Sequence, residues 1–417
     1  MALKAGFSET TITPPLGTVK IGWLKLLVGD RVLDDLFARA AILDNGRERL
    51  AFVQLDTLCV RWTTTMEIRR RVEARYGFPG TNIMVAATHN HAGPAVANLV
   101  ECRRDDAFTE TLTRKIVDAF GAALAALREA ELGFGWKLDW GLSHNRRVVM
   151  RDGTVCTHGS IDDPQALFIE GPIDPEVAVL AVRDRAGTPM GALVNFACHP
   201  THHGGSTELS AGYPGVLAAE MKSRGWPATL FLNGATGNLA TSESMEEMGR
   251  KLAVDVESVI GKMAFRQDAL LGSRSKTVSL PYRKVTRAET EGTVRGAQRF
   301  IDSKLYDAAM PDLIRRIRDR KTQPAEVQVL SVDDVDFASI PAEFFVQNGL
   351  RIKEKAHPRH ALIVSHANGM VGYVPHRDAF LRGGYETTFG PGYRLAPRAG
   401  DMLVDAAAEL IAPLKGA

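Results

Sequence analysis

The 417 residues can bury a large core in one to three units, and 51 basic side chains nearly cancel 49 acidic ones. No block of like charge stands out, which argues against an electrostatic grip on nucleic acid or an anionic membrane and for a small neutral or mixed-polarity substrate. The start, Met1 to Ser8, lacks a signal-like apolar core and no apolar run approaches a membrane span, so the expected compartment is the cytoplasm, without stable membrane association.

Along the chain, β-rich apolar runs fall at 51–56, 82–87, 178–182, 193–198, 229–232, 326–332 and 361–364. Helical periodicity falls between several of them, at 64–76, 109–127, 214–224 and 245–263, with Ser242 and Ser244 as candidate caps of the last. Strands alternating with helices predict an α/β fold, a mixed central β-sheet flanked by helices, with the chemistry at strand carboxyl ends. Residues 289–321 carry Ile301, Leu305, Leu313 and Ile317 among many arginines and read as a solvated helical face, with a lid or subunit contact as the alternative. No internal repeat is visible. A soft boundary falls near 266–275, within what reads as a single domain over 1–417.

The first chemical motif is Thr88-His89-Asn90-His91-Ala92-Gly93-Pro94, a His-x-His pair directly after an apolar strand. Side chains two apart on a strand share a face, so both imidazoles are expected to point into one pocket. A second histidine, His199, follows another strand beside Pro200. Proline fixes the local backbone, which suits a metal ligand. His202 and His203 read as exposed loop histidines, with ligation or substrate contact as the alternative. Cys198 is expected to point away from the His199 face, and the four scattered cysteines read as reduced thiols rather than a disulfide framework.

Gly234-Ala235-Thr236-Gly237 has no following Lys of the phosphate-binding kind and reads as a tight turn that brings backbone close to the site. Glu343 stands in the apolar stretch Ser339 to Phe345, where a carboxylate needs a metal ion or an arginine as partner. Loops at 21–28, 101–104 and 385–393 are expected to shape the pocket.

Taken together, these segments, with Asn145-Arg146, Gly237-Asn238, Pro341-Ala342-Glu343-Phe344 and Gly372-Tyr373-Val374, resemble the neutral/alkaline (non-lysosomal) ceramidase family, specifically its amidase domain, from Ala5 to about Tyr385. The resemblance implies one zinc ion held by His89, His199, Glu343 and Tyr373. It also implies a reaction centre lined by His91, Arg146 and Tyr385, with His91 moving a proton to the leaving group and Arg146 and Tyr385 stabilising an oxyanion.

Two positions depart from the family pattern. The serine of the glycine turn is Ala240 here, which leaves attack to metal-bound hydroxide, and an acidic residue usual near Ser210 to Pro214 is replaced by Gly212. The C-terminal immunoglobulin-like domain and secretion signal of full ceramidases have no counterpart in these residues. The expected activity is therefore zinc-dependent cleavage of an amide bond in a small soluble N-acyl compound. An esterase or lactonase using the same oxyanion stabilisation is the alternative, as is a non-catalytic zinc or ligand-binding protein.

Overall fold

The structure is a computed structural model that describes residues 2–300 and 302–412. Ile301 and residues 413–417 lie outside the described residues. Its strands and helices form three successive copies of one unit: three antiparallel strands, a helix, an edge strand parallel to the third strand, and a second helix.

The first unit runs through β1 (Lys4–Thr11), β2 (Phe37–Asp44), β3 (Arg49–Leu55), α1 (Trp62–Tyr76), β4 (Ile83–Ala87) and α2 (Asp106–Ala125). The second comprises β5 (Arg128–Leu138), β6 (Glu176–Asp184), β7 (Pro189–Phe196), α3 (Gly212–Ser223), β8 (Thr229–Asn233) and α4 (Met245–Ile260). The third begins with β9 (Leu271–Pro281), inserts α5 (Ser303–Arg320), and continues with β10 (Thr322–Val332), β11 (Val335–Ile340), α6 (Val346–Ala356), β12 (His360–Ser365) and α7 (Ala399–Ile411).

In each unit the second and third strands form a hairpin, and the helix that follows carries the chain across to a parallel edge strand. Units one and two join where β1 pairs with β5, giving an eight-stranded mixed sheet in the order β8-β7-β6-β5-β1-β2-β3-β4. The third unit is its own four-stranded sheet. The repetition is invisible to sequence periodicity because the units share pairing geometry rather than residues.

The sheet curls so that its edges β4 and β8 approach each other and β12. One apolar core draws Phe52 and Met84 from the first unit, Leu180 and Leu230 from the second, and Phe337 and Leu362 from the third. Outside it, each unit buries its own helix pair: α1 and α2, α3 and α4, α6 and α7. On α2, Leu112, Ile116, Phe120 and Ala123 form the expected buried stripe. Ser244 caps α4 by accepting from the Glu247 amide, while Ser242 lies outside the helix.

The mixed α/β architecture matches the expectation, and each predicted strand is present. Sequence reading missed β1, β2, β5, β9 and β11, and also α6 and α7. In β5 the alternation of Ala130 and Leu132, both buried, was available as a signal. Gly349 interrupts the short α6 and weakens its helical pattern. No described helix is long and apolar enough to cross a membrane.

Candidate metal centre

Because β3 and β4, β7 and β8, and β11 and β12 are parallel pairs that converge, their carboxyl ends meet at one place. Three loops there deliver three imidazoles and a carboxylate. His89 and His91 follow β4, His199 follows β7 and Glu343 follows β11.

The His-x-His pair converges by a different route from the one expected. Strand β4 ends at Ala87, and His89 turns the chain with a left-handed φ of 67°. Strand alternation therefore does not align the rings. A strained turn does, at a typical cost of about 1–3 kcal/mol that the surrounding packing must offset.

The Nε2 atoms of His89 and His199 are 3.0 Å apart, and the His91 Nε2 lies 3.2 Å and 3.1 Å from them. Glu343 brings Oε2 to 3.4 Å from His89 and 3.9 Å from His199. Burial, with His89 and Arg146 nearby, pushes the His91 and His199 pKa values well below the usual imidazole range, so both rings are neutral. Neutral nitrogens crowded this closely fit a cation between them. Tetrahedral zinc with bonds of 2.0–2.1 Å would place its ligands roughly 3.3–3.4 Å apart.

Outer contacts separate the three rings. The Nδ1 of His89 lies 2.8 Å from the Leu58 carbonyl and that of His199 lies 3.3 Å from the Thr236 carbonyl. Donation from Nδ1 fixes the tautomer whose bare Nε2 faces inward. The buried Nδ1 of His91 lies near the Gly22 backbone without an ordinary hydrogen bond. Trp23 meets the His91 ring edge-on at 6.5 Å.

Glu343 is placed by a two-residue parallel pairing in which it registers with Tyr373. The glycine turn explains how that pair can be supported from below. A Cβ on Gly237 would fall 2.6 Å from the Glu343 carbonyl oxygen, so only glycine allows the approach expected of this turn.

Arg146 donates from Nη2 to the Gly237 carbonyl at 2.8 Å and to the Tyr373 phenol oxygen at 3.2 Å. Its Nε donates to Glu386 at 3.0 Å, and Glu386 also accepts from Arg147 and Thr157, each at 2.8 Å. Burial alone would raise the Glu386 pKa, but Arg147 and Arg146 outweigh it and hold the carboxylate ionised below its usual range. Burial and the Glu343 charge raise Tyr373, with Arg146 pulling the other way, and burial raises Tyr385. The two tyrosine rings meet edge-on at 5.5 Å.

The site thus gathers all seven predicted residues into one neighbourhood. His202 and His203 stay outside it, bonding the Glu243 carbonyl and the Glu208 carboxylate. Ala240 pairs with His144, and Ser242 contacts His144 rather than the imidazole cluster. Gly212 opens α3 with a left-handed φ of 69°, a conformation an acidic side chain there would resist. Cys198 is fully buried and unpaired, and burial raises its thiol pKa far above neutral, which removes it as a nucleophile.

One histidine went unread. His366, just past β12, stacks on His89 with ring centres 3.9 Å apart and planes 8° from parallel. The signal that singled out His89 and His199, a histidine at a strand end, was present there too.

His89 and Glu343 open onto a cleft of about 670 Å³, bordered by Ile21, Glu101, Arg103, Pro391 and Gly392 from the three loops expected to shape it. Helix α5 also borders the cleft, through Ala308, Asp312, Leu313 and Arg316. The charged helical region is therefore more than a solvated face: it buries Tyr306, Met310 and Leu313 and walls the cleft with neighbouring residues.

Residues 27–221 match the sequence pattern of the family described as neutral/alkaline non-lysosomal ceramidase, N-terminal. The neutral ceramidase of Pseudomonas aeruginosa is 24% identical over 442 aligned positions, covering 85% of this chain. The chain spans only 64% of that relative's length. The neutral ceramidase of Drosophila melanogaster is 30% identical over 96 residues, 22% of this chain and 14% of its own. The crystal structure of the Pseudomonas aeruginosa enzyme shares the fold with a TM-score of 0.77 at 19% identity, over all of this chain and 75% of that one. A ceramidase complexed with C2 does so at 0.78 and 18% identity, over all of this chain and 76% of its own. The matched family pattern, which spans a little under half of the chain, together with the Pseudomonas relative and the shared fold, supports a resemblance to the neutral/alkaline ceramidase family.

Proposed function

We propose that this protein is a zinc-dependent hydrolase that cleaves the amide bond of a small soluble N-acyl compound. The observation that carries the reading is the cluster of three buried imidazole nitrogens, of which His89, with Glu343 beside it, borders a cleft. A structural zinc site is usually sealed by four strong ligands, whereas His89 and Glu343 face a space large enough for a substrate.

His89, His199 and Glu343 would hold the ion, with Tyr373 completing the set. When bound, zinc supplies a Lewis acid and a water whose pKa falls to about 7. The fixed Nδ1 partners of His89 and His199 suit ligands. His91 has no such anchor, and we assign it the proton transfer to the departing amine. Arg146, fixed by Glu386, and Tyr385 offer donors for the negative charge that develops on the carbonyl oxygen. Ala240 supplies no hydroxyl, so no covalent serine step is part of this reading. We place the enzyme in the cytoplasm, in keeping with its four free thiols.

Metal analysis of the purified protein beside its His89→Ala and His199→Ala variants tests the site. About one zinc per chain, lost in both variants, is the expected result. Full occupancy surviving both substitutions would overturn the assignment. A matched panel of amides, esters and lactones then identifies the bond, and hydrolysis of the ester or lactone alone would replace the amidase reading with its esterase or lactonase counterpart.

A further inference from the structure

The cleft runs away from His89 and Glu343 past Gly372 and Gly392 to a guanidinium that lacks a counter-charge. Arg394 borders the cleft yet is only 8% exposed. Its Nη1 donates to the Pro391 carbonyl at 3.1 Å, and its Nη2 makes a long 3.4 Å bond to Gln323. The Nε is buried without any partner. Among the described residues no carboxylate forms an ion pair with it.

Burying an unpaired guanidinium is expensive, and every other deeply buried arginine near the site has a carboxylate: Arg146 and Arg147 share Glu386. Arg316, on the exposed face of α5 and also bordering the cleft, adds repulsion instead of relief. Burial and that repulsion, opposed by the neighbouring Tyr282 phenol, lower the Arg394 pKa to about 10, so the side chain stays charged at neutral pH. Five arginines and three carboxylates border the cleft, and one of those carboxylates is Glu343 itself. An anion entering the cleft would meet a favourable field that ends at Arg394.

We propose that Arg394, assisted by Arg316, is an anion subsite that selects substrates carrying a carboxylate in addition to the scissile amide. Arginine is suited to the role because its planar fork matches a carboxylate and it is costly to leave unpaired. The position is close to the chemistry: Nη1 lies 3.5 Å from where a Cβ on Gly372 would stand, next to Tyr373. The proposal rests on the amide-hydrolase reading for the word substrate, but the binding of an anion can be measured without turnover.

Two measurements on the full chain as purified separate the ideas. In calorimetry, phenylacetate should bind about tenfold or more tighter than the neutral phenylacetone, and Arg394→Gln should abolish the difference while Arg394→Lys keeps part of it. In turnover, N-benzoylglycine should be preferred over N-benzoylglycinamide, with the Arg394→Gln loss falling on KM more than on kcat. Arg316→Gln, on an exposed helical face, should weaken the preference several-fold even if Arg394→Gln does not fold. Equal binding of the two probes by the wild type, or a preference that survives both glutamine substitutions, overturns the subsite. An anion preference without hydrolysis of either amide would leave the subsite standing and count against the amidase reading.

Discussion

The His366 ring lies flat on the His89 ring, 3.9 Å away and within 8° of parallel. With the Leu58 carbonyl holding Nδ1 of His89, one contact fixes the ring's tilt and the other its rotation. Burial first, then His89 and His91, keep the His366 pKa well below the usual range, so it stacks as a neutral ring. Under the proposed zinc assignment it would act as a positioning residue, and it is held in a left-handed turn with φ of 57°.

His366→Ala should therefore lower zinc affinity by about 10–100-fold, the usual effect of losing an outer contact to a ligand. His366→Phe, which restores a flat ring, should recover most of it. Competition with a chelator measures both. Equal affinities in wild type and alanine variant would remove this role.

His91→Gln distinguishes a ligand from a proton carrier. If His91 moves the proton, the variant keeps its zinc and loses about 10²–10⁴-fold in kcat, with the loss smaller for substrates whose leaving group needs no protonation. Zinc content and a leaving-group series report the two quantities separately. Loss of the ion would instead make His91 a ligand.

Gly237→Ala should be disproportionately harmful for one added methyl group. Its Cβ would meet the Glu343 carbonyl oxygen at 2.6 Å, and the opposing atoms are backbone. We expect a loss of about 1–3 kcal/mol in unfolding free energy together with reduced zinc occupancy, because the same shift moves Glu343. Denaturant titration with parallel metal analysis tests the coupling. A stable variant with full zinc would refute it.

Glu386 links Arg146 and Arg147 from a fully buried position. Its pKa is depressed in the folded state, so its contribution to stability is fully present above about pH 4.3, the ordinary glutamate value, and is lost as pH falls through the lower folded value. Glu386→Gln should cost about 3 kcal/mol or more at neutral pH. It should also flatten the acid limb of the stability curve. Urea unfolding of both proteins between neutral pH and the acid limb checks this, and parallel pH profiles would contradict it.

Much of the fold was legible where a strand was apolar and its neighbour a periodic helix, as at Ile83–Ala87 followed by the α2 stripe. It was illegible at β9, whose residues are mostly exposed or half-exposed and so carry little alternating pattern. The three-unit construction escaped for a related reason: pairing geometry is a property of backbone hydrogen bonds, which many unrelated side-chain patterns satisfy.

The sequence by itself determined the chemical inventory: strand-end histidines, a glutamate among apolar neighbours and a glycine turn, with Tyr373 and Tyr385 added by the family resemblance. Those signals are local, because residue type and strand-end position suffice to read them. Only the tertiary structure decided that His366 stacks on His89, that α5 walls the cleft, and that Arg394 ends there without a carboxylate. Each of these depends on contacts between segments distant in the chain, where burial and proximity set the energy and no local pattern records them.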